Sequence, residues 1–219
     1  MSTLTRLYIN PHKRGAAKLL ANPQAMHAAV RSAFPPDIDE SSARVLWRVD
    51  NRQHEHILYI VGPEKPEVTH IVEQAGWDTR PGQSLDYSRF LAQIKKGQRW
   101  AFEVVANPVQ AVSQPGQSRG KILPHVTVEQ QLNWLVERGP TRGFCIPQSD
   151  GQNLVRVAER KDLRFRKQSG SRPVVIRTAR FGGVLEVTDA DVLRTTLTQG
   201  LGRARAYGCG LLTLAPVEG

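Results

Sequence analysis

Apolar and polar residues alternate over 4–9, a period of two that predicts a β-strand, and Asn10-Pro11 ends it. The period then becomes helical. Met26, Ala29, Val30 and Phe34 share one face, Asn22 is placed as N-cap with Pro23 at the first helical position, and Pro35-Pro36 stops the helix. Strand-like stretches at 44–49 and 56–61 flank a polar turn at 51–54. Beyond Gly62-Pro63 the pattern weakens, and a short helix is expected over 86–96, stopped by Gly97.

The second half repeats this order more clearly. Strand formers fill 99–112, with a break at Asn107-Pro108, and a polar, basic loop over 113–121 follows. A helix over 127–138 has Thr127 as possible cap and Leu132, Leu135 and Val136 as its apolar face. Strands are expected at 153–160, 173–181 and 184–187, then a helix over 191–199 capped by Thr188 or Asp189, then a last strand at 211–214. Strand, helix, strand, strand, helix, strand is the order of the ferredoxin-like βαββαβ unit, so the expected fold is α+β, with two such RNA-recognition-motif-like units in tandem. No sequence repeat links the halves. The expected division is 1–96 and 97–219, each near the usual size of about 100 residues for a self-sufficient core.

Composition adds a partner class. Of 219 residues, 30 are Lys or Arg and 20 are Asp or Glu, a formal +10. Such a surplus favours a polyanion, because each neutralised phosphate releases condensed counterions. Nucleic acid leads, and composition does not separate RNA from DNA. No apolar run is long enough to cross a bilayer and no secretory signal precedes the first strand, so a cytoplasmic location is expected. Cys145 and Cys209 lack the clustering of a zinc site, and no cofactor or metal is expected. No Ser/His/Asp set, phosphate-binding P-loop or paired-carboxylate pattern is evident.

Near the C-terminus, Gly200-Leu201-Gly202 and Gly208-Cys209-Gly210 enclose a segment carrying Arg203 and Arg205. Glycines in this arrangement permit positive φ and allow backbone N–H groups to approach a phosphate. A tight helix-to-strand connection is the plainer reading. This loop, followed by Leu211-Leu212-Thr213-Leu214-Ala215-Pro216, resembles the ending of the CasE family, the repeat-processing endoribonucleases of type I-E CRISPR systems. Met26-His27 after the first strand, Ala106-Asn107-Pro108 after a strand, and Phe181-Gly182-Gly183-Val184-Leu185 before the last helix agree with it.

The resemblance implies tandem ferredoxin-like domains, cleavage of CRISPR precursor RNA at each repeat stem-loop, and continued attachment within the Cascade complex. It also implies that His27 is the main catalytic residue. On the residues alone, His27 is either a structural histidine at the edge of a core or a proton-transfer group facing a groove. The implied reaction needs no metal: the RNA 2′-OH attacks the adjacent phosphate and expels the 5′-oxygen, leaving a 2′,3′-cyclic phosphate and a 5′-hydroxyl. His27 serves as base or acid, and a nearby cation steadies the transition state. Gln24 is a departure, since several relatives carry tyrosine there. An amide is no proton donor of comparable acidity but can orient a phosphate or ribose.

A second basic feature runs through Arg156, Arg160, Lys161, Arg164, Arg166, Lys167, Arg172, Arg177 and Arg180, with Gly170 at an expected hairpin tip. Alternation of Arg164 and Arg166 with Leu163 and Phe165 puts arginines on one strand face. That face suits an A-form RNA stem, or is a solvated hairpin. His54 and His56 flank a turn in a spacing that would admit a metal but lack further ligands nearby; His12, His70 and His125 read as ordinary surface residues. A non-cutting RNA-binding subunit and a general RNA chaperone remain as alternatives.

Overall fold

The computed structural model describes residues 2–52, 55–113, 120–167 and 170–217. The first sheet is built from β1 (Thr3–Ile9), β2 (Leu46–Arg52), β3 (Glu55–Gly62) and β4 (Gln83–Asp86), with α1 (Arg14–Ala21), α2 (Pro23–Arg31), α3 (Thr69–Ala75) and α4 (Tyr87–Ala92). Its order is β2-β3-β1-β4. Leu7 and Ile9 of β1, with Leu58 and Ile60 of β3, turn to one face and meet Leu19, Met26, Val30 and Ile71 from the helices.

Helix α1 stands where no helix was expected. Its Gly15 argues against a helix by propensity, but a Cβ there would lie 2.4 Å from the Gln74 carbonyl oxygen, so glycine lets α1 close on α3. Asn22 ends α1 and caps α2, accepting the Gln24 N–H at 2.9 Å. Strand β4 was also unanticipated. It is an edge strand whose Leu85 is 51% exposed, so no buried alternation marks it. The helix expected over 86–96 is confined to Tyr87–Ala92.

The second unit contains β5 (Arg99–Ala106), a separate strand pair of β6 (Val109–Val112) and β7 (Lys121–Pro124), α5 (Val128–Arg138), the short β8 (Phe144–Cys145), and a second separate pair of β9 (Gln148–Ser149) and β10 (Gln152–Asn153). Then come β11 (Val155–Phe165), β12 (Val174–Val187), α6 (Ala190–Gln199) and β13 (Leu212–Ala215). The main path is β11-β12-β5-β13. In each sheet the second, third, first and fourth strands of a βαββαβ unit lie side by side, so both are ferredoxin-like.

The expected interruption between 181 and 184 is a correction: β12 runs unbroken through Gly182-Gly183. These glycines make no turn. A Cβ at Gly183 would meet the Leu154 carbonyl oxygen at 2.1 Å, the oxygen that accepts the Val184 N–H at 2.8 Å. Strand β11 likewise runs on through Phe165. Asp189, not Thr188, caps α6, accepting the Asp191 and Val192 N–H groups, while Thr127 and Gln130 form a capping box on α5. Part of the loop expected at 113–121 lies outside the described residues.

The two sheets share a seam. Leu46 and Val61 of the first sheet join the cluster of Phe102, Val104, Phe181 and Leu193 from the second unit. Arg48, 2% exposed, grips Asp50 through two 2.7 Å hydrogen bonds and donates to the carbonyls of Glu103 (2.8 Å) and Leu211 (2.9 Å). Arg180 closes the network, reaching Asp50 and Glu103 at 2.7 Å each. Among the described residues no helix is long and apolar enough to cross a membrane.

Candidate active site beside the glycine-bordered turn

Helix α2 buries Met26 and Val30, and this phase leaves His27 half-buried at the helix edge. There it meets the 3-10 turn Arg205–Tyr207, the centre of the glycine-bordered segment, with the His27 and Tyr207 rings 6.4 Å apart, edge to face. Nδ1 of His27 is enclosed without a hydrogen-bond partner. Burial pushes the imidazole pKa below 6.5, and Arg31 and Arg44 add to this against the opposing charge of Glu40. Glu40 is held by Arg31 and by the Val45 N–H. Gln24 stands one turn before His27, half-buried, on the same side of α2.

The four glycines have φ of +78° to +89° (Gly208 +78°, Gly202 +79°, Gly200 +81°, Gly210 +89°), as their sequence pattern suggests. Two of their N–H groups are engaged within the protein, Gly200 N–H donating to the Thr196 carbonyl and Gly210 N–H to that of Val105. The missing side chains serve packing. A Cβ on Gly208 would lie 2.8 Å from the Trp47 ring, and one on Gly202 3.2 Å from the Trp134 ring. The segment is therefore fastened to an indole from each unit. What remains outside is Arg203, exposed, and Arg205, half-buried, whose guanidinium donates to the Gln199 carbonyl at 2.6 Å.

The basic run divides between two faces of the β11–β12 ribbon. The pairing shifts between Val157 and Glu159, and beyond that irregularity Lys161 and Leu163 line a cavity of about 270 Å³ together with Thr178, Tyr207 and Pro23. Arg156 borders a neighbouring cavity with Arg52 and Tyr59. Arg160 instead donates to the Val126 carbonyl at 3.1 Å, and Arg177 pairs with Asp162 at 2.9 Å. Arg164, Arg166, Lys167 and Arg172 are exposed on the outer half of the ribbon. Arg180 is withdrawn from the run altogether, locked between Asp50 and Glu103.

Sequence reasoning missed Tyr207, Arg31, Glu40 and Arg44. Only Tyr207 carried a signal, its place between the paired glycines. Tyr207 also packs on Phe165 of β11 at 4.7 Å, so it joins the α2 side to the basic ribbon. His54 lies outside the described residues, and His56 Nδ1 is 2.7 Å from the Asn51 side-chain oxygen. Among the described residues no group of three or more metal-ligating side chains gathers.

Two units of the same strand order, sharing a buried seam and presenting a histidine against an arginine-bearing turn, define the class as tandem ferredoxin-like proteins. The family described as CRISPR associated protein matches residues 4–216, and the chain belongs to it. It is 28% identical over 221 residues to the CRISPR-associated endoribonuclease Cse3 of Thermus thermophilus, covering 97% of this chain and 99% of that protein. The CRISPR system Cascade subunit CasE of Escherichia coli K12 is 27% identical over 174 residues, 74% of this chain and 81% of that protein. Among solved structures, T. thermophilus Cse3 bound to an RNA representing a pre-cleavage complex aligns with a TM-score of 0.82 at 27% identity, covering 98% of this chain and 99% of that one. These relatives are of the CasE type that the sequence motifs resemble.

Proposed function

We propose that the protein is a metal-independent endoribonuclease that binds the stem-loop of CRISPR repeat RNA, cuts at its 3′ base, and stays with the product as a cytoplasmic Cascade subunit. The observation that carries this reading is His27, half-buried and set edge to face against Tyr207 of the Arg205–Tyr207 turn. The names of the relatives, an endoribonuclease and a Cascade subunit, support it. In this reading residues 1–96 form the unit with the histidine, and 97–219 the unit with the basic ribbon and glycine-bordered segment.

Because burial and two arginines depress its pKa, His27 is neutral at pH 7 and acts as the general base. It takes the proton of the 2′-OH as the 2′-oxygen bonds to phosphorus; the bond to the 5′-oxygen breaks, and that oxygen takes a proton from water. Lys161 and Arg203 supply positive charge where the phosphorane-like transition state gains negative charge. Gln24 orients the ribose or phosphate. Arg156, Lys161, Arg164, Arg166, Lys167 and Arg172 grip the stem by its phosphates, which is how A-form RNA is read. Arg160, Arg177 and Arg205 spend part of their hydrogen-bonding capacity within the protein, so they contribute charge more than directed contacts.

Gln24 favours one second reading, a subunit that binds without cutting. Repeat RNA incubated in EDTA separates the two. The nuclease reading expects a 2′,3′-cyclic phosphate product, with no cutting of RNA carrying 2′-deoxy at the site or by His27→Ala protein. Tight binding with no cutting selects the second reading, and cutting that stops in EDTA overturns the mechanism.

A further inference from the structure

Three arginines from distant parts of the chain converge on the last turn of α6. Arg44 donates its backbone N–H to the Thr198 carbonyl at 2.9 Å, the Arg142 carbonyl accepts the Thr196 hydroxyl at 3.0 Å, and the Arg205 guanidinium donates to the Gln199 carbonyl at 2.6 Å. None of the three is ion-paired among the described residues, whereas Arg31 nearby is taken by Glu40. Arg44 and Arg142 are exposed. Their charges reach one another: burial first, then Arg44 and Arg142, hold the Arg205 guanidinium below its ordinary range, and Arg44 also acts on His27. Crowding like charges without counter-ions costs stability, and the negative end of α6 offsets only part of it. The remainder is available to a polyanion.

The placement says which polyanion. Tyr207 contacts both His27 and Phe165 of the basic ribbon, so the ribbon lies on one side of the 3-10 turn. The arginine cluster flanks the turn at its other end, through Arg205. An RNA whose scissile phosphate sits at His27 and whose stem lies on the ribbon must send its continuing strand elsewhere; Arg44 acts on His27, Arg205 belongs to the turn beside it, and Arg142 acts on Arg205. We propose that Arg44 and Arg142, with Arg205 between them, form a phosphate track for the single-stranded RNA on the 3′ side of the cut. This rests on the nuclease reading above. It adds that the protein holds the departing strand, so that substrate binds more tightly than product.

The test uses the full chain and three RNAs blocked by 2′-deoxy at the cut: the hairpin alone, the hairpin with a short 3′ extension, and the hairpin with a short 5′ extension. Affinities are measured by fluorescence anisotropy across salt. The unmodified protein should bind the 3′-extended RNA most tightly. One single-strand phosphate contact contributes about 0.7 to the log–log salt slope, so Arg142→Ala should lower that slope by about 0.7, weakening binding about eightfold at about 50 mM salt and about threefold at about 200 mM. Arg44→Ala should do the same, Arg142→Lys should restore most of the loss, and the other two RNAs should be unaffected. Equal losses on all three RNAs, a loss confined to the 5′ extension, or no loss overturns the track. If the unmodified protein fails to bind the hairpin alone, the nuclease reading falls as well.

Discussion

Replacing Gly208 by alanine separates a packing role from a purely conformational one. Gly208 has φ of +78°, and a Cβ there would meet Trp47 ring atoms at 2.8, 3.0 and 3.3 Å. Gly97 has nearly the same conformation, φ +84°, but nothing lies within 4 Å of its Cβ position. Left-handed backbone costs an alanine roughly 1–2 kcal/mol, which is the whole expected effect of Gly97→Ala. Forcing a methyl against an indole buried at 5% exposure adds about 1–3 kcal/mol, so Gly208→Ala should lose about 2–5 kcal/mol. For a chain of this size each kcal/mol lowers Tm by about 2–4 °C, so Gly208→Ala should lower Tm by more than Gly97→Ala does. Urea denaturation of both, followed by tryptophan fluorescence, reads the difference directly. Equal losses would show that Trp47 yields freely and that the segment is not fastened as described. Because Tyr207 precedes Gly208, the same substitution should also slow RNA cleavage, while Gly97→Ala should not.

The seam between the sheets makes its own predictions. Arg48→Met leaves Asp50, 1% exposed, with only Arg180, and should cost about 3–5 kcal/mol in chemical denaturation. Burial opposes the Asp50 charge, but the hydrogen bonds and charges of Arg48 and Arg180 outweigh it and hold the carboxyl below 3.8. Its contribution is therefore complete above pH 3.8 and is lost as the pH falls through the lower folded-state value, so Asp50→Asn should flatten the acid limb of the stability profile. Cys209 is fully buried and its thiol is pushed up to about 12, so a thiol reagent at neutral pH should label Cys145 in the native protein and reach Cys209 only on unfolding.

What the sequence made legible was local. The Asn22 and Thr127 caps, the apolar face of α2 and the strand–helix order of the second unit depend on neighbours a few residues apart. Helix α1 and strand β4 were hidden because Gly15 is explained only by α3, and an exposed edge strand has no alternation to read. The Gly182-Gly183 pair looked like a break because the reason for Gly183, the Leu154 carbonyl in the bend before β11, lies far away in sequence. Charge was legible in amount and not in allocation. Arg180 reads as part of a basic ribbon, yet its partner Asp50 is 130 residues away. The same holds for Arg44 and Arg142, which resemble any other surface arginine until α6 brings them together. His27 became a candidate through the family motif, while its contact with Tyr207 required the packing of the two units.

The pH dependence of single-turnover cleavage of repeat RNA, measured in EDTA, tests the role of His27 most directly. A depressed imidazole acting as base should give a rate that rises with pH, with a midpoint below 6.5, and is level by neutrality. His27→Ala should fall by roughly 10²- to 10⁴-fold and lose that rise. A rate that is insensitive to His27→Ala, or that declines through the same range as pH increases, would contradict the assignment.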